Sequence, residues 1–259
     1  MMRIVVKIGT SSVTDEHGAI NNHAIETLCN QVAQLREQSH EVLVVTSGAV
    51  AGGVAALGMS QRPSDTQTLQ ALAAVGQSQL MNRYNEYLSA RGLIGAQVLL
   101  VPNDFIDRTQ YLHARSTLIR LMELGCVPII NENDSVGTQE IRFGDNDRLA
   151  ALVALLIGAD LLVLVSDIDA LYDAPPTQVG AKKIHEVSSI SEIEAVTLGG
   201  AGAAGARPVL APPGRAQGGG FAPARRARRP ARRPPAGRRR PDALCAGARR
   251  QTGPDPVGG

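Results

Sequence analysis

Five short apolar runs alternate with longer helical patterns, and this alternation constrains the fold more than any other feature of the chain. The runs cover residues 3–8, 41–46, 94–101, 126–130 and 161–166. They are nearly continuously apolar, as expected for strands buried on both faces of a parallel sheet. The sequence therefore predicts a doubly wound α/β fold, with a mostly parallel sheet sandwiched by helices.

Between these runs, apolar residues recur at the spacing of amphipathic helices. The predicted helices cover residues 22–38, 64–92, 108–125 and the segment that follows residue 145. In the second of them, Gly76 marks a point where the helix could be interrupted, and the third ends in the stop signal Gly125. The fourth helix carries its predicted inward stripe at Leu149, Leu152, Val153 and Leu156.

The charge of the chain is divided between two unlike parts. Residues 207–259 hold 13 arginines, no lysine and two acids, whereas residues 1–206 hold 13 basic and 22 acidic residues. From about Leu198 the chain is almost entirely Ala, Gly, Arg and Pro, and such a composition cannot bury enough surface to offset its ordering entropy. We predict a domain over residues 1–197, incomplete at its C-terminus, and a disordered arginine-rich segment over residues 198–259.

Several classes of protein are disfavoured by what the sequence lacks. The three cysteines, Cys29, Cys126 and Cys245, have neither disulfide-framework nor zinc-ligand spacing. The N-terminal apolar run is too short for a signal peptide, and no apolar stretch reaches the roughly 18–20 residues of a membrane span. These observations favour a cytoplasmic enzyme that does not associate with membranes.

Small, polar and acidic residues follow four of the predicted strands. The segments are KIGTSS, TSGAVAGG, NENDSVG and SDIDALY. Because ligands of doubly wound sheets bind at the carboxyl ends of the strands, these segments are expected to form one site.

Lys7 lies inside the first apolar run, two residues before Gly9. It could be an edge-strand lysine with its amine in solvent. Alternatively, the backbone N–H groups and hydroxyls that begin at Gly9 and Thr10 face an anion, and Lys7 neutralises a transferring phosphoryl group. Neither a GxxxxGK[ST] nor a GxGxxG motif is present, so the pattern supports neither a Walker-type nucleotidase nor a Rossmann site.

Ser47 and Gly48 follow the second run, in a segment typical of a strand, a tight turn and a helix N-terminus. Open backbone N–H groups at such a turn bind a carboxylate or phosphate. The simpler alternative is that Ser47 caps the helix, and both roles can share one turn.

Two bursts of amides and carboxylates follow, and each would be costly to bury without a partner. In the first, Asp134 with Asn131 or Asn133 could accept hydrogen bonds from a ligand ammonium.

The second burst consists of Asp145, Asn146 and Asp147. One of these residues suffices to cap the following helix, so the others are available to hold the Lys7 amine or a Mg²⁺ ion. Further along, Ser166 and Asp167 leave the last apolar run, either as ordinary caps or as contacts to a nucleotide.

With these segments in place, the sequence resembles the amino-acid-kinase family, and within it the branch that phosphorylates glutamate. The segments that carry the resemblance are VVKIGTSSVT (5–14), VTSGAVAGG (45–53), LQALAAVGQSQLM (69–81), GAQVLL (95–100), HARSTL (113–118), VPIINENDSV (127–136), FGDNDRLAALVA (143–154) and SDIDALY (166–172). Other branches carry Gly-Gly after the lysine, whereas here Gly9 is followed by Thr10. The resemblance extends over about residues 3–197.

The resemblance implies a kinase that transfers the γ-phosphoryl group of ATP to the side-chain carboxylate of L-glutamate, the first step of proline biosynthesis. It implies catalytic roles for Lys7 and Asp147. It places Ser47, Asp134 and Asn146 at the glutamate, and phosphate or nucleotide contacts at Gly9, Thr10, Gly48, Ser166 and Asp167. It also implies Mg²⁺, a homo-oligomer and feedback inhibition by proline.

The resemblance fails after about Leu198. The family continues with a Gly-Thr-Gly-Gly-Met loop and a second catalytic lysine, but the last lysine of this chain is Lys183. We interpret residues 198–259 as a frameshifted reading of GC-rich DNA, and therefore expect weak or absent activity. Two alternatives are a basic arm that binds nucleic acid electrostatically, and a relative that binds glutamate or proline without turnover.

Overall fold

A five-stranded, wholly parallel sheet organises the protein. The computed structural model describes residues 1–15, 18–137, 146–166, 170–174 and 179–187, all within one compact unit, Met1–Leu210. Within this sheet the strand order is β3-β4-β2-β1-β5, so β1 lies between β2 and β5. This order brings the carboxyl ends of β1, β2 and β4 side by side.

Helices and strands alternate along the chain. The sheet strands are β1 (Arg3–Ile8), β2 (Glu41–Val45), β3 (Gly95–Leu100), β4 (Val127–Glu132) and β5 (Leu161–Val165). The helices are α1 (Thr10–Val13), α2 (Asn22–Glu37), α3 (Ala49–Ala56), α4 (Thr66–Ser89), α5 (Asn103–Ile106), α6 (Arg108–Glu123) and α7 (Asn146–Ile157). A small antiparallel pair, β6 (Leu171–Tyr172) and β7 (Lys183–Ile184), follows β5.

The two faces of the sheet are covered by different helices, as alternation along each strand requires. Ile4 and Val6 of β1 pack in the core cluster that contains buried side chains of α2 and α4. Val5 packs in the opposite cluster, with α6 and α7. Lys7 shares the parity of Val5, so the strand directs it towards the layer that contains α7.

Helices α3 and α4 approach each other closely because both carry glycine at the contact. A Cβ on Gly76 would lie 1.8 Å from the carbonyl oxygen of Ala49, and one on Gly53 would lie 2.0 Å from that of Leu72. No side chain fits at such distances. The small residues therefore fix the position of the turn that precedes α3.

The structure confirms the α/β architecture and places strands in all five apolar runs, but it corrects three details. Helix α4 runs without interruption through Gly76. The role of this glycine is to allow close packing against α3. Strands β3 and β5, which lie at the two ends of the described sheet, are only partly buried and not buried on both faces. Residues 10–13, expected to form an open phosphate turn, form the short helix α1.

The arginine-rich segment and its predicted disorder lie outside the described residues. Within the described ranges, no helix combines the length and apolar character needed to cross a membrane.

Candidate active site

Lys7 lies near the carboxyl end of an interior strand, and its side chain is buried. β1 is hydrogen-bonded on both sides, with Lys7 opposite Val45 of β2 and Leu164 of β5. Only 8% of Lys7 is exposed. The alternative of a solvated edge-strand lysine is therefore wrong.

The Lys7 amine forms an ion pair with Asp147, the second residue of α7. The Nζ–Oδ1 distance is 2.6 Å, and about a third of the aspartate side chain is exposed. Burying an ammonium is costly unless a carboxylate compensates it. Asp147 therefore compensates the charge of the buried amine and holds it at the carboxyl ends of the strands.

Asn146, at the start of α7, ties that helix to the end of β2. Its Nδ2 donates to the carbonyl oxygen of Thr46 (2.6 Å) and to Oγ of Ser47 (2.7 Å). Ser47 makes no capping bond to α3, whose N-cap residue is Gly48. The capping alternative for Ser47 is therefore not observed, and its hydroxyl belongs to the strand-end cluster instead.

Asn131 continues this network from β4. Its Oδ1 accepts from Nδ2 of Asn146 (3.0 Å) and from the backbone N–H of Glu132 (2.9 Å). Its Nδ2 donates to Oε1 of Gln77 on α4 (2.9 Å), and Gln77 Nε2 lies 3.5 Å from Oε1 of Gln97 on β3. We call Asn146, Asn131, Gln77 and Gln97 the amide relay.

Beneath the relay, the Thr46 hydroxyl lies 2.9 Å from the hydroxyl of Tyr84 on α4. Both residues are fully buried, and burial raises the pKa of Tyr84 well above its usual value of 10.0. Tyr84 thus remains neutral and anchors the end of β2 to α4.

A cavity of about 370 Å³ opens beside the relay. Its polar lining comes from Gln77, Ser78, Asn82, Gln97, Glu132, Asn133, Asp134 and Ser135, and its apolar lining from Ala49, Ala73, Ala74, Met81 and Leu99. This volume suits a small polar molecule the size of an amino acid. The described lining is rich in acceptors, with two carboxylates, and contains no cationic side chain.

Two glycines lie at the strand ends, and one of them, Gly48, is required by its backbone conformation. Gly48 has φ +96°, and a Cβ there would lie 2.8 Å from Cγ2 of Val13. A Cβ on Gly9 would lie 3.2 Å from the Lys7 Nζ. Both positions keep the backbone close to the lysine and to the turn after β2.

The structure brings together most of the residues predicted for the site. Lys7, Ser47, Asn146 and Asp147 form one cluster, with Gly9, Thr10 and Gly48 in the adjoining turns, while Asp134 lines the cavity. Ser166 follows Val165, the partner of Ile8, and so emerges at the same edge of the sheet as Gly9. Asp145 and Asp167 lie outside the described residues.

Sequence reasoning missed Gln77, Gln97, Thr46 and Tyr84. One signal was available for Gln77, which interrupts the buried stripe formed by Leu72, Ala73, Gly76, Leu80, Met81, Tyr84 and Leu88 of α4. A polar residue on a buried helix face requires a hydrogen-bond partner, and here that partner is Asn131. No comparable signal marked Gln97, which lies on a half-buried strand.

The described residues contain no group of three or more His, Cys, Asp or Glu side chains arranged to hold a metal ion. Asp147 is engaged by Lys7.

The parallel sheet carries the lysine–aspartate pair and the polar cavity at the ends of its strands, where α/β proteins bind their ligands, and the comparison with known proteins gives the family. Residues 2–212 match the amino acid kinase family. The chain belongs to this family.

Among its relatives, the chain is 48% identical over 199 residues to the glutamate 5-kinase of Thermobifida fusca, covering 77% of this chain and 51% of the relative. It is 49% identical over 197 residues to glutamate 5-kinase 2 of Bacillus subtilis, covering 75% and 53%. It is 47% identical over 203 residues to the glutamate 5-kinase of Leifsonia xyli, covering 78% and 74%. The chain thus spans about half the length of most of the curated relatives it matches.

Proposed function

We propose that this chain carries the amino-acid-binding part of a glutamate 5-kinase, which phosphorylates the side-chain carboxylate of L-glutamate with ATP at the start of proline biosynthesis. The observation that carries the proposal is the pair of buried Lys7 with Asp147, whose neighbour Asn146 is hydrogen-bonded through Asn131 to Gln77 in the lining of an amino-acid-sized cavity. Identity of nearly half to several glutamate 5-kinases supports the choice of glutamate.

The proposed reaction is an in-line displacement at the γ-phosphorus. An oxygen of the glutamate side-chain carboxylate forms a bond to phosphorus as the bond to the bridging oxygen of ADP breaks, and no proton has to move. Two anions approach each other in this step, so the barrier falls when positive charge lies beside the transferring group. Lys7 supplies that charge, and Asp147 keeps its amine in place.

The amino-acid end of glutamate would bind through Ser47, Asp134 and Asn146. Asp134 lines the cavity and offers carboxylate oxygens to an ammonium group. Ser47 and Asn146 are held together by their mutual hydrogen bond at the boundary with Lys7 and Asp147.

On the nucleotide side, Gly9, Thr10, Gly48, Ser166 and Asp167 would contact phosphate or the rest of ATP, with Mg²⁺ carried on the phosphates. We further propose a cytoplasmic homo-oligomer with proline as a competing ligand of the amino-acid site. These assignments follow from the family resemblance and are tested by ligand titration and by sedimentation.

The first test is ATP-dependent formation of glutamyl hydroxamate by the purified 259-residue chain, with glutamate, Mg²⁺ and hydroxylamine. We expect little activity, and recovery when residues 198–259 are replaced by the corresponding half of the Thermobifida fusca relative. In the restored protein, Lys7→Ala should lower the rate at least a hundredfold, because the charge beside the phosphoryl group is lost. Lys182→Ala, at an exposed position, serves as the matched control.

The proposal fails if the restored protein forms no hydroxamate and the 259-residue chain does not bind glutamate. Turnover by the unaltered chain would contradict the expected impairment while supporting the assignment. Glutamate binding with no turnover in either protein would favour the alternative of a non-catalytic relative.

The frameshift interpretation of residues 198–259 stays a prediction. The coding DNA should contain another frame that restores a Gly-rich loop followed by lysine. The nucleic-acid-binding alternative depends on the same segment and would require salt-sensitive binding that disappears when the segment is removed.

A further inference from the structure

We propose that Gln77 is a specificity-determining residue, whose side-chain N–H groups bind the α-carboxylate of the amino-acid ligand inside the cavity. This inference rests on the proposed function, because it assigns a role within the same amino-acid site. It follows from the direction of the hydrogen bonds in the amide relay.

The orientation of a side-chain amide is normally ambiguous, since its oxygen and nitrogen have nearly the same shape. In the relay, two backbone groups remove the ambiguity. The N–H of Glu132 can only donate, so the Asn131 atom that faces it is the oxygen. The carbonyl of Thr46 can only accept, so the Asn146 atom that faces it is the nitrogen.

The fixed orientation of the Asn131 amide also fixes the orientation of the Gln77 amide. Because Asn131 presents its oxygen to Glu132 and Asn146, it must present its Nδ2 to Gln77. Gln77 accepts this hydrogen bond with Oε1, and its Nε2 therefore lies on the side of Gln97. The backbone of β4 thus determines that Gln77 presents its amide nitrogen, a donor, on the side of Gln97.

The Nε2 group has hydrogen-bonding capacity for a ligand. Its contact with Oε1 of Gln97 is 3.5 Å long, at the limit of a hydrogen bond, and an amide nitrogen carries two hydrogens. Both glutamines line the cavity, and Gln77 is only 7% exposed. A donor that is already oriented and largely desolvated before binding forms a strong hydrogen bond to a ligand, because little reorganisation accompanies binding.

The chemistry of the cavity indicates which ligand group the donor takes. Among the described residues, the lining holds the carboxylates of Glu132 and Asp134, which suit an ammonium, but no lysine, arginine or histidine. A ligand carboxylate in the same cavity therefore depends on neutral donors. Of the described side-chain amides that line the cavity, Gln77 is the one hydrogen-bonded to Asn131, whose orientation the backbone fixes.

The experiment is an NMR titration of the 259-residue chain with L-glutamate and with 4-aminobutyrate, which lacks the α-carboxylate. In Gln77→Met, a change that keeps length and removes both N–H groups, glutamate affinity should fall about tenfold, as expected for a lost hydrogen bond to a charged group. Affinity for 4-aminobutyrate should change less than twofold. Gln79→Met, an exposed position on the same helix, is the matched control and should change neither.

Gln77→Glu provides a second variant of the same shape. Its oxygens can still accept from Asn131, but they repel a ligand carboxylate, so glutamate should bind more weakly than in Gln77→Met. A purely structural role for Gln77 would instead be satisfied by this variant. Unchanged glutamate binding by a folded Gln77→Glu, or an equal loss for both ligands in Gln77→Met, overturns the inference.

A measurement on the unaltered chain covers the case in which neither variant folds. The side-chain amide resonances of Gln77 should shift on addition of glutamate and not on addition of 4-aminobutyrate. Glutamate binding without that shift overturns the role of Gln77 alone. Absence of glutamate binding by the unaltered chain overturns this inference, whereas the proposed function fails only if the restored protein also forms no hydroxamate.

Discussion

A lysine is buried and a leucine is exposed at directly opposite positions of two neighbouring strands. Lys7 of β1 pairs in register with Leu164 of β5, yet Lys7 is 8% exposed and Leu164 is 51% exposed. β1 is flanked by strands on both sides, whereas β5 pairs only with β1 among the described strands. At these two positions, the place of the strand in the sheet matches burial better than the type of residue does. The interior strand holds Lys7 in the buried pair with Asp147.

The largest effect that tests this comparison concerns the packing behind the interior strands. Gly76→Ala should destabilise the protein by about 4 kcal/mol or more, because a Cβ would lie 1.8 Å from a backbone oxygen that cannot move independently. Thermal or urea unfolding measures the change. Ser78→Ala, exposed on the same helix, should change stability by less than about 0.5 kcal/mol. A cooperative fold of normal stability in Gly76→Ala would show that α3 and α4 are not in this contact.

The next prediction compares a leucine that packs against the interior strands with a leucine on the outer strand β5. Leu149 of α7 is fully buried in the core against β1, β2 and β4, so Leu149→Ala should cost about 2–5 kcal/mol. Leu164→Ala, on the half-exposed strand, should cost less than about 1 kcal/mol, because much less apolar area returns to water. Urea denaturation curves of both variants measure the difference. Equal costs would mean that β5 is covered in solution.

A smaller effect is expected from the buried thiol of Cys29 on α2. Burial raises the pKa of Cys29 from 9.0 to about 12, so the folded protein holds this proton more tightly than the unfolded chain. Stability is fully present below pH 9 and declines as the pH rises towards 12, by up to about 1.4 kcal/mol per pH unit from this group.

Urea denaturation between pH 9 and 10 measures this decline. Cys29→Ala lacks the thiol and should show a shallower slope over that interval, although its stability at pH 7 should be lower because a cavity is left. An unchanged slope would mean that the thiol ionises equally easily in the folded and unfolded states.

Much of this architecture was predictable, and the reasons differ from element to element. The apolar runs located all five strands, because β-branched continuity is a local signal. The prediction that β5 is buried on both faces was wrong, because a run such as LLVLV contains no information on what surrounds the strand in the folded protein. Gly76 was misread for a related reason, since its partner Ala49 lies in another helix and only the packed structure reveals the contact.

The site was predictable where the chemistry lies at strand ends and unpredictable where it depends on tertiary partners. Lys7 and Asp147 are far apart in sequence, but each follows from the rule that ligands gather at the carboxyl edge. The pairing of Asn131 with Gln77 joins β4 to a helix on one face of the sheet, and no spacing in the sequence relates the two residues. Hydrogen bonds of this kind are visible only after the layers have been assembled.

The smallest predicted effect concerns the buried hydroxyl pair that supports the site. Tyr84→Phe removes the partner of the Thr46 hydroxyl at 2.9 Å without changing the packed ring, and should cost about 1 kcal/mol, with up to about 3 if the hydroxyl finds no other acceptor. Thr46→Val with Tyr84→Phe removes both hydroxyls, so the double variant should be more stable than the two single costs imply. A double-mutant cycle by urea denaturation measures this coupling. Strict additivity would show that the hydroxyls do not interact, and that β2 is held at its carboxyl end by Asn146 and by the ladder to β1 and β4 alone.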